Sequence, residues 1–230
     1  MTSKVLTPLQ EQVLTAFFTH GLADSGYYLT GGTALSEFYL QHRYSDDLDL
    51  FTRKSESLRQ DFERFRDLLT SLNFVVASQS LTEAYMRLFI HNEDQEDSGL
   101  KVEFARDVPA RMAPTEVHGY IIVDSFEDIA VNKVCAILGR QPSEPKDFCD
   151  LFFILTESRY ELEYLLGRAR EKEAAFDAAE GMLAFAVNLL AVKEFQIVPR
   201  MIKPLSLERL CDFFVPKAEE LIRHLRPRRA

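Results

Sequence analysis

The sequence predicts an α/β or α+β core over residues 1–123 and a helical lobe over residues 124–230. Up to residue 123, short runs of strand-forming residues alternate with amphipathic segments of helical spacing. From Asp124 onward the apolar residues recur at helical spacing. Because the chain has 230 residues, of which 47% are hydrophobic, it can bury one sizeable core with an appended lobe. No repeat or linker divides it further.

Composition and charge limit the classes of protein to consider. The formal net charge of −9 argues against a surface that holds long nucleic acid by charge alone, although the last eight residues carry four arginines and no acid. Three widely separated cysteines indicate neither a disulfide framework nor a zinc cluster. No apolar run reaches the roughly 20 residues that a membrane helix needs, and the first residues lack a secretory pattern, so we expect a cytoplasmic protein.

The first segments predict the order helix, strand, glycine turn, helix. Apolar residues at helical spacing predict a helix over residues 8–24, and a short strand over 27–30 follows it. The Gly31-Gly32 pair then forms a turn, and helical character resumes over residues 33–42.

The remaining elements are predicted from the same helical and strand periodicities of apolar residues. After an aspartate-rich strand over residues 43–51, the predicted elements of the core are helix 57–72 and strands 73–81, 84–92 and 100–108, with a polar loop at 92–98. Pro109 and Pro114 close this block. The predicted helices of the lobe are 124–140, 145–155, 161–175, 176–192 and 206–225.

The stretch RYSDDLDLF, residues 43–51, places carboxylates on a strand. Successive side chains of a strand point to opposite faces, so Asp47 and Asp49 share one face while Leu48 and Leu50 point into a core. Two carboxylates about 7 Å apart at Cα repel each other without a cation, and can hold one or two hard divalent ions. Magnesium is the natural candidate because it prefers oxygen ligands and binds one or two carboxylates together with substrate phosphates; manganese is the alternative.

A third acid lies on a strand further along the chain. In LKVEF, Glu103 alternates with apolar neighbours and therefore lies on a polar face. If this strand neighbours the aspartate strand, Glu103 completes a three-carboxylate cluster. The turn at Gly31, Gly32 and Thr33, between a strand and a helix, lets backbone N–H groups approach a phosphate. Together these features indicate in-line phosphoryl or nucleotidyl transfer, although acidic strand ends and glycine turns are also common as plain caps.

The stretch YYLTGGTALSEFYLQHRYSDDLDLF resembles the signature of the AbiEii/AbiGii toxin family of nucleotidyltransferases, within the polymerase-β-like nucleotidyltransferase superfamily. LKVEF resembles the third-acid strand of that family. EDIAVNKVCAILGR and KDFCDLFFIL resemble its lysine helix and the helix that follows. The resemblance covers residues 27–155 in matching order. It implies a mixed sheet flanked by helices, with a C-terminal helical lobe that completes the active site.

The resemblance also implies a catalytic role for five residues. Asp47, Asp49 and Glu103 would bind magnesium, and Glu103 would also activate the attacking hydroxyl. Lys133 would reach a phosphate from the helical lobe, and Asp147 would orient Lys133 or the nucleotide. The substrate implied is a nucleoside triphosphate (NTP).

Further residues would bind the triphosphate. Gly31, Gly32 and Thr33 would line it, and Ser45 would help to hold a phosphate. Arg43 is a further candidate, with packing of its long stem as the alternative. The helix after the glycine pair departs from the family pattern because it has no lysine before Arg43. Triphosphate binding therefore rests on Arg43 and the lysine of the helical lobe, or is weaker.

Structural roles stay open for several of these residues. Lys133 on an amphipathic helix could be solvated, and Asp147 could pair locally with Lys146 or Lys133. Asp150, three residues beyond Asp147, could be a structural partner within the helix. Arg140 lies seven residues from Lys133, on nearly the same helix face, and could assist it.

Three functional hypotheses follow. The leading one is a magnesium-dependent nucleotidyltransferase that moves a nucleoside monophosphate from an NTP to an acceptor hydroxyl. The resemblance implies the toxin of a toxin-antitoxin or abortive-infection system, with RNA and especially tRNA as an acceptor and a cognate antitoxin protein as a partner. The alternative is a non-catalytic nucleotide-sensing or partner-binding module on the same scaffold. The third is a phosphohydrolase that uses water as the acceptor. No membrane partner is expected.

Overall fold

The computed structural model describes residues 4–20, 22, 25–54, 57–92 and 99–225. The predicted polar loop falls outside these residues from 93 to 98. The C-terminal arginines at 226, 228 and 229 also lie outside them.

The described residues form two compact units. The first runs up to Tyr39 and continues over Tyr44–Ser125, and the second contains Leu40–Arg43 together with the residues from Phe126 onward. The segment 40–43 therefore belongs with the helical residues, although the sequence assigned it to the core. None of the helices in the described residues combines the length and apolar character that a membrane crossing needs.

The first unit contains a mixed seven-stranded sheet, which confirms the predicted fold class. Its strands are β1 (Tyr27–Thr30), β2 (Asp47–Thr52), β3 (Phe74–Thr82), β4 (Tyr85–Asn92), β5 (Leu100–Arg106), β6 (Glu116–His118) and β7 (Ile121–Val123). Their spatial order is β3-β4-β5-β2-β1-β7-β6. The pairs β2–β5 and β1–β7 are parallel, and the other neighbours are antiparallel.

The strands β6 and β7 are absent from the sequence prediction, which ended the sheet at Pro114. Each has three residues, too few for an alternating pattern to stand out. They form a hairpin in which His118 pairs with Ile121, and the turn begins at Gly119 with φ +63°. β7 joins the sheet through parallel pairing with β1, and this contact is not readable from local sequence.

The first and third helices of the first unit pack on one face of the sheet and make its core. The helices of this unit are α1 (Pro8–Thr19), α2 (Gly31–Ala34) and α3 (Leu58–Ser71). Phe17 of α1 packs its ring 5.3 Å from Tyr27 of β1 and 4.8 Å from Phe65 of α3, between ring centroids. Phe65 lies 5.8 Å from Phe104 of β5. Because strand side chains alternate, Glu103 and its neighbours on β2 lie on the opposite face.

Two helix boundaries differ from the sequence prediction. α1 ends at Thr19, whereas the periodicity predicted a helix to residue 24. The glycine pair does not precede the next helix but begins it: α2 starts at Gly31 and continues as a π-helix over Leu35–Leu40. Gly31 has φ +71°, a conformation that glycine adopts readily and other residues rarely do.

The second unit is helical. Its helices are α4 (Phe126–Gly139), α5 (Pro145–Glu157), α6 (Leu162–Ala169), α7 (Ala179–Leu189) and α8 (Leu207–Leu225). Phe148 of α5 packs 5.4 Å from Phe214 of α8, and Phe152 packs 4.9 Å from Phe213. These rings are part of the core, as the sequence indicated.

The predicted helix over residues 161–175 is wrong in its second half. α6 ends at Ala169, and a separate 3₁₀ turn follows over Ala174–Asp177. In the turn between them, Lys172 places its Nζ 2.8 Å from a carboxylate oxygen of the buried Asp128 and 2.8 Å from Asn132 Oδ1. A buried carboxylate needs a partner. The contact of Lys172 with Asp128 therefore favours the turn over the helix that the local pattern predicted.

Candidate active site

The aspartate strand is β2, and its side chains alternate as predicted. Leu48 and Leu50 are fully buried, whereas Asp47 and Asp49 are partly exposed. The two carboxylates therefore share the face of the sheet opposite the apolar core.

The third acid is carried by the strand next to the aspartates. β5 pairs with β2 in parallel, with Asp49 opposite Glu103 and Asp47 opposite Lys101. Residues directly opposite each other on neighbouring strands point to the same face. The three acids therefore lie on one face of two adjacent strands, which confirms the strand pairing on which the sequence prediction depended.

The glycine that begins α2 lies against the second aspartate. Thr30, the last residue of β1, pairs with Asp49 across the strands, so Gly31 follows directly beside that carboxylate. A Cβ on Gly31 would lie 2.8 Å from Cγ of Asp49 and would overlap its Oδ2. Only glycine at this position leaves room for the carboxylate.

Two polar contacts hold the chain around the acids. The Thr33 hydroxyl donates to the backbone carbonyl of Asp47. The carbonyl of Ser45 accepts a hydrogen bond from Nε2 of Gln10 at 2.8 Å. Gly32 is buried within α2. The phosphate-binding roles of these residues stay predictions, while their structural role is to fix the start of α2 and the approach to β2.

Two basic side chains that the sequence analysis did not assign to the site contact the acids. Lys101 Nζ lies 2.8 Å from Asp47 Oδ2 and 3.1 Å from Glu103 Oε1. Arg87 of β4 donates to the same Glu103 oxygen from Nε at 3.1 Å and from NH2 at 2.9 Å. The alternation of LKVEF could have revealed Lys101, because it precedes Glu103 by two residues. Arg87 could be found only from the pairing of β4 with β5.

These contacts keep the site ionised. Burial alone would raise the pKa of Glu103, but hydrogen bonds from Tyr85, Lys101 and Arg87 outweigh it and lower that pKa below its usual value. Burial would lower the pKa of Lys101, but Asp47 and Glu103 raise it above its usual value. The lysine is therefore a cation and the glutamate an anion at neutral pH.

The acids fit a divalent ion that is bound partly by substrate. In the part of the chain that the structure describes, no three His, Cys, Asp or Glu side chains are grouped to hold a metal ion. Magnesium is normally held by one or two carboxylates together with substrate phosphates rather than by an all-protein cage. Asp47 and Asp49 provide such a pair, and an ammonium group already lies between Asp47 and Glu103. The donor set therefore suits a hard cation.

The other predicted site residues meet in the second unit around Asp150. Arg43 binds this carboxylate with Nε 2.6 Å from Oδ1 and NH2 2.9 Å from Oδ2. His42 Nε2 lies 2.7 Å from Oδ1, and Lys133 Nζ lies 2.7 Å from Oδ2. Asp150 is thus the centre of a buried cluster. Its role is structural, but these partners come from outside its own helix rather than from within it.

Asp147 joins the same cluster from one helical turn away. Lys133 Nζ lies 2.9 Å from its Oδ1, and Arg140 NH1 lies 2.6 Å from its Oδ2. Asp147 therefore pairs with Lys133, as the structural alternative also expected, and its role in orienting Lys133 for catalysis stays a prediction. Lys133 is only 8% exposed, so a solvated lysine is excluded. Whether Lys133 and Arg43 also bind a nucleotide phosphate stays a prediction.

Charge balance explains why this cluster is stable. Burial would raise the pKa of Asp150, but Arg43 and Lys133 hold it well below its usual value. Burial would lower the pKa of Lys133, but Asp150 and Asp147 raise it. His42 differs from both, because burial lowers its pKa more than the hydrogen bond to Asp150 raises it. The histidine is therefore neutral at neutral pH, and its ring N–H can donate to Asp150.

The mixed sheet and its helices define a nucleotidyltransferase-type fold. A proposed nucleotidyltransferase from Helicobacter pylori has a similar structure, with a TM-score of 0.60 and 20% identity over 96% of this chain and 97% of that one. JHP933 from Helicobacter pylori gives a TM-score of 0.56 with 21% identity over 94% and 91% of the two chains. MenT4, a nucleotidyltransferase toxin from Mycobacterium tuberculosis, gives 0.56 with 15% identity over 95% and 91%.

The sequence identifies the family more narrowly. Residues 12–221 match the family described as nucleotidyl transferase AbiEii toxin, type IV toxin-antitoxin system, and the chain belongs to that family. It is therefore a transferase, a nucleotidyltransferase of a toxin family, as the sequence resemblance predicted. No curated protein matches the sequence.

Proposed function

We propose that this protein transfers a nucleoside monophosphate from an NTP to an acceptor hydroxyl with the help of magnesium, or of manganese in its place. The observation that carries the proposal is the placement of Asp47, Asp49 and Glu103 on one face of two paired strands. Gly31, whose missing side chain leaves room for Asp49, supports it. The family supports the reaction class.

The reaction forms a bond between the acceptor oxygen and the α-phosphorus of the NTP and breaks the bond to pyrophosphate. Asp47 and Asp49 would hold the metal ion, which would supply charge stabilisation to the transferring phosphoryl group. Glu103, ionised at neutral pH, would take the proton of the attacking hydroxyl. Thr33 holds the carbonyl of Asp47 and so fixes the start of the acidic strand.

The acceptor and the biological partner are proposed from the family alone. A toxin of a type IV toxin-antitoxin system implies an antitoxin encoded as a separate protein. RNA, and tRNA in particular, is the proposed acceptor. With a net charge of −9, the protein would have to recognise the acceptor through a local surface rather than through its overall charge.

Transfer is tested by incubating the protein with each of the four radiolabelled NTPs, magnesium and total cellular RNA. The Asp47→Ala/Asp49→Ala double variant is the inactive control, and Asp46→Ala is the matched control because Asp46 is exposed and precedes the strand. We expect label on a discrete RNA band with the wild type and Asp46→Ala, and none with the double variant. Label that persists in the double variant would contradict the proposal.

The same experiment separates the alternatives. Magnesium-dependent NTP binding without transfer to RNA, protein or small molecules would indicate the nucleotide-sensing module. Release of free phosphate or nucleotide without a labelled acceptor would indicate the phosphohydrolase.

A further inference from the structure

The position of Lys101 is set by the backbone rather than by a flexible surface contact. It lies on β5 two residues before Glu103, so both side chains point to the same face. In the parallel pairing with β2, Lys101 stands directly opposite Asp47, as Glu103 stands opposite Asp49. A lysine at this register lies beside the carboxylates of both strands.

The ammonium group of Lys101 bridges the two ends of the acidic cluster. Its Nζ lies 2.8 Å from Asp47 Oδ2 and 3.1 Å from Glu103 Oε1, and the side chain is only 27% exposed. Arg87 is a second cation, but it pairs with Glu103, and its strand β4 is separated from β2 by β5. Of these two bases, Lys101 is therefore the one that reaches a carboxylate proposed to bind metal on β2.

A divalent ion and this ammonium group compete for the same oxygens. Magnesium binds carboxylate oxygens at about 2.0–2.1 Å, and a lysine held at hydrogen-bond distance from Asp47 would repel it. The lysine stem is flexible, so the ammonium can leave Asp47 and keep its contact with Glu103. That movement would free Asp47 for the metal and leave Glu103 ionised.

We propose that Lys101 is a resident cation of the carboxylate site, which a divalent metal ion must displace from Asp47, and that it thereby sets the metal affinity. The inference rests on the proposed metal site. In the metal-free protein Lys101 relieves the repulsion between the acids. On metal binding it becomes a positioning residue for Glu103.

The test measures Mn²⁺ binding to the purified full chain by titration calorimetry. Lys101→Met removes the charge and keeps most of the stem. Arg87→Met removes a cation that pairs with Glu103, and so measures the general effect of one lost positive charge nearby. Lys203→Met is a remote control, because Lys203 is 35% exposed and pairs with Glu157 in the second unit.

We expect Lys101→Met to bind Mn²⁺ about tenfold more tightly than the wild type, equivalent to about 1.4 kcal/mol. Arg87→Met should tighten binding by less, and Lys203→Met should leave it unchanged. Binding by Lys101→Met that equals or is weaker than wild type would overturn the inference, as would an equal gain in Arg87→Met. Binding by Lys101→Met alone, with none in the wild type, would support it.

Thermal unfolding checks that the Lys101→Met variant is folded and gives a second measure of metal binding. Without metal, Lys101→Met removes one of the cations beside the acids and should have a lower midpoint temperature than the wild type. Adding Mn²⁺ should raise that midpoint more in Lys101→Met than in the wild type, because at one ligand concentration tighter binding to the folded state stabilises it more. An equal rise in both proteins would contradict the inference.

The wild type and an Asp47→Asn/Asp49→Asn variant separate this inference from the proposed function. If the double variant loses Mn²⁺ binding while the wild type and Lys101→Met bind equally, the proposed metal site stands and only the role of Lys101 is refuted. If neither the wild type nor Lys101→Met binds Mn²⁺, both the proposed metal site and the role of Lys101 are refuted.

Discussion

Arg43 and Asp150 form a two-point ion pair inside the second unit, with Nε 2.6 Å from Oδ1 and NH2 2.9 Å from Oδ2. The same carboxylate contacts Lys133 and the neutral His42. One buried acid therefore contacts two cations, and Asp147 supplies a second carboxylate to Lys133. Arg43 ends the segment that precedes the aspartate strand, so this pair fixes the segment to the helical residues.

Removing the carboxylate at the centre of this cluster should strongly destabilise the protein. Asp150→Ala leaves Arg43 and Lys133 buried with one acid fewer, and breaking a buried ion pair in this way costs about 3–5 kcal/mol of unfolding free energy. Chemical denaturation measures the change. Asp212→Ala, which alters an exposed residue of α8, is the control and should change the unfolding free energy by less than about 0.5 kcal/mol. Equal effects in the two variants would refute the role of Asp150.

His42 should make the stability depend on pH. Its folded-state pKa is lowered, so below about pH 6.5 the unfolded chain takes up a proton that the folded chain does not. Stability from this group is therefore complete above that pH and falls as the pH falls toward the folded pKa, by at most about 1.4 kcal/mol per pH unit.

The measurement is the unfolding free energy of the wild type and of His42→Gln, which keeps an N–H donor, between pH 7 and pH 5. His42→Gln should show the shallower dependence. His224→Gln, on α8, should follow the wild type. Parallel curves for the wild type and His42→Gln would show that His42 does not cause the dependence.

Gly31→Ala should impair the active site in addition to the loss of stability that any side chain at a positive φ causes. Gly119→Ala is the matched control, since Gly119 has φ +63° and a Cβ there meets nothing within 4 Å. Both variants should lose about 1 kcal/mol or more of unfolding free energy from backbone strain. Only Gly31→Ala should also displace Asp49 and lose nucleotidyl transfer. Retained transfer in Gly31→Ala would argue against the close contact with Asp49.

Glu103→Gln should lower kcat by about 10²–10⁴-fold if Glu103 takes the proton of the acceptor hydroxyl. The affinity for NTP should change little, because Asp47 and Asp49 remain. Single-turnover transfer and equilibrium NTP binding measure the two effects separately. Glu83→Gln, at an exposed turn, is the control. A fall in NTP affinity with kcat unchanged would assign Glu103 to binding instead.

Local sequence was enough to place the carboxylates on their strand. The alternation in residues 47–50 shows that Asp47 and Asp49 share a face, because the period of a strand depends only on its own residues. The order of the glycine pair, the aspartates and the third acid also identified the family. Short strands such as β7 escaped detection, because a three-residue strand has too few positions to show a period.

Only the tertiary structure decided which residues meet. The parallel pairing of β2 with β5 puts Glu103 beside Asp49 and Lys101 beside Asp47, across more than 50 positions of chain. Helix packing brings Arg43 to Asp150 across 107 positions. The sequence by itself determined the period and the chemistry of each segment. Register and packing, which depend on contacts distant in the chain, determined that a lysine lies among the acids and that Arg43 is bound in a buried ion pair.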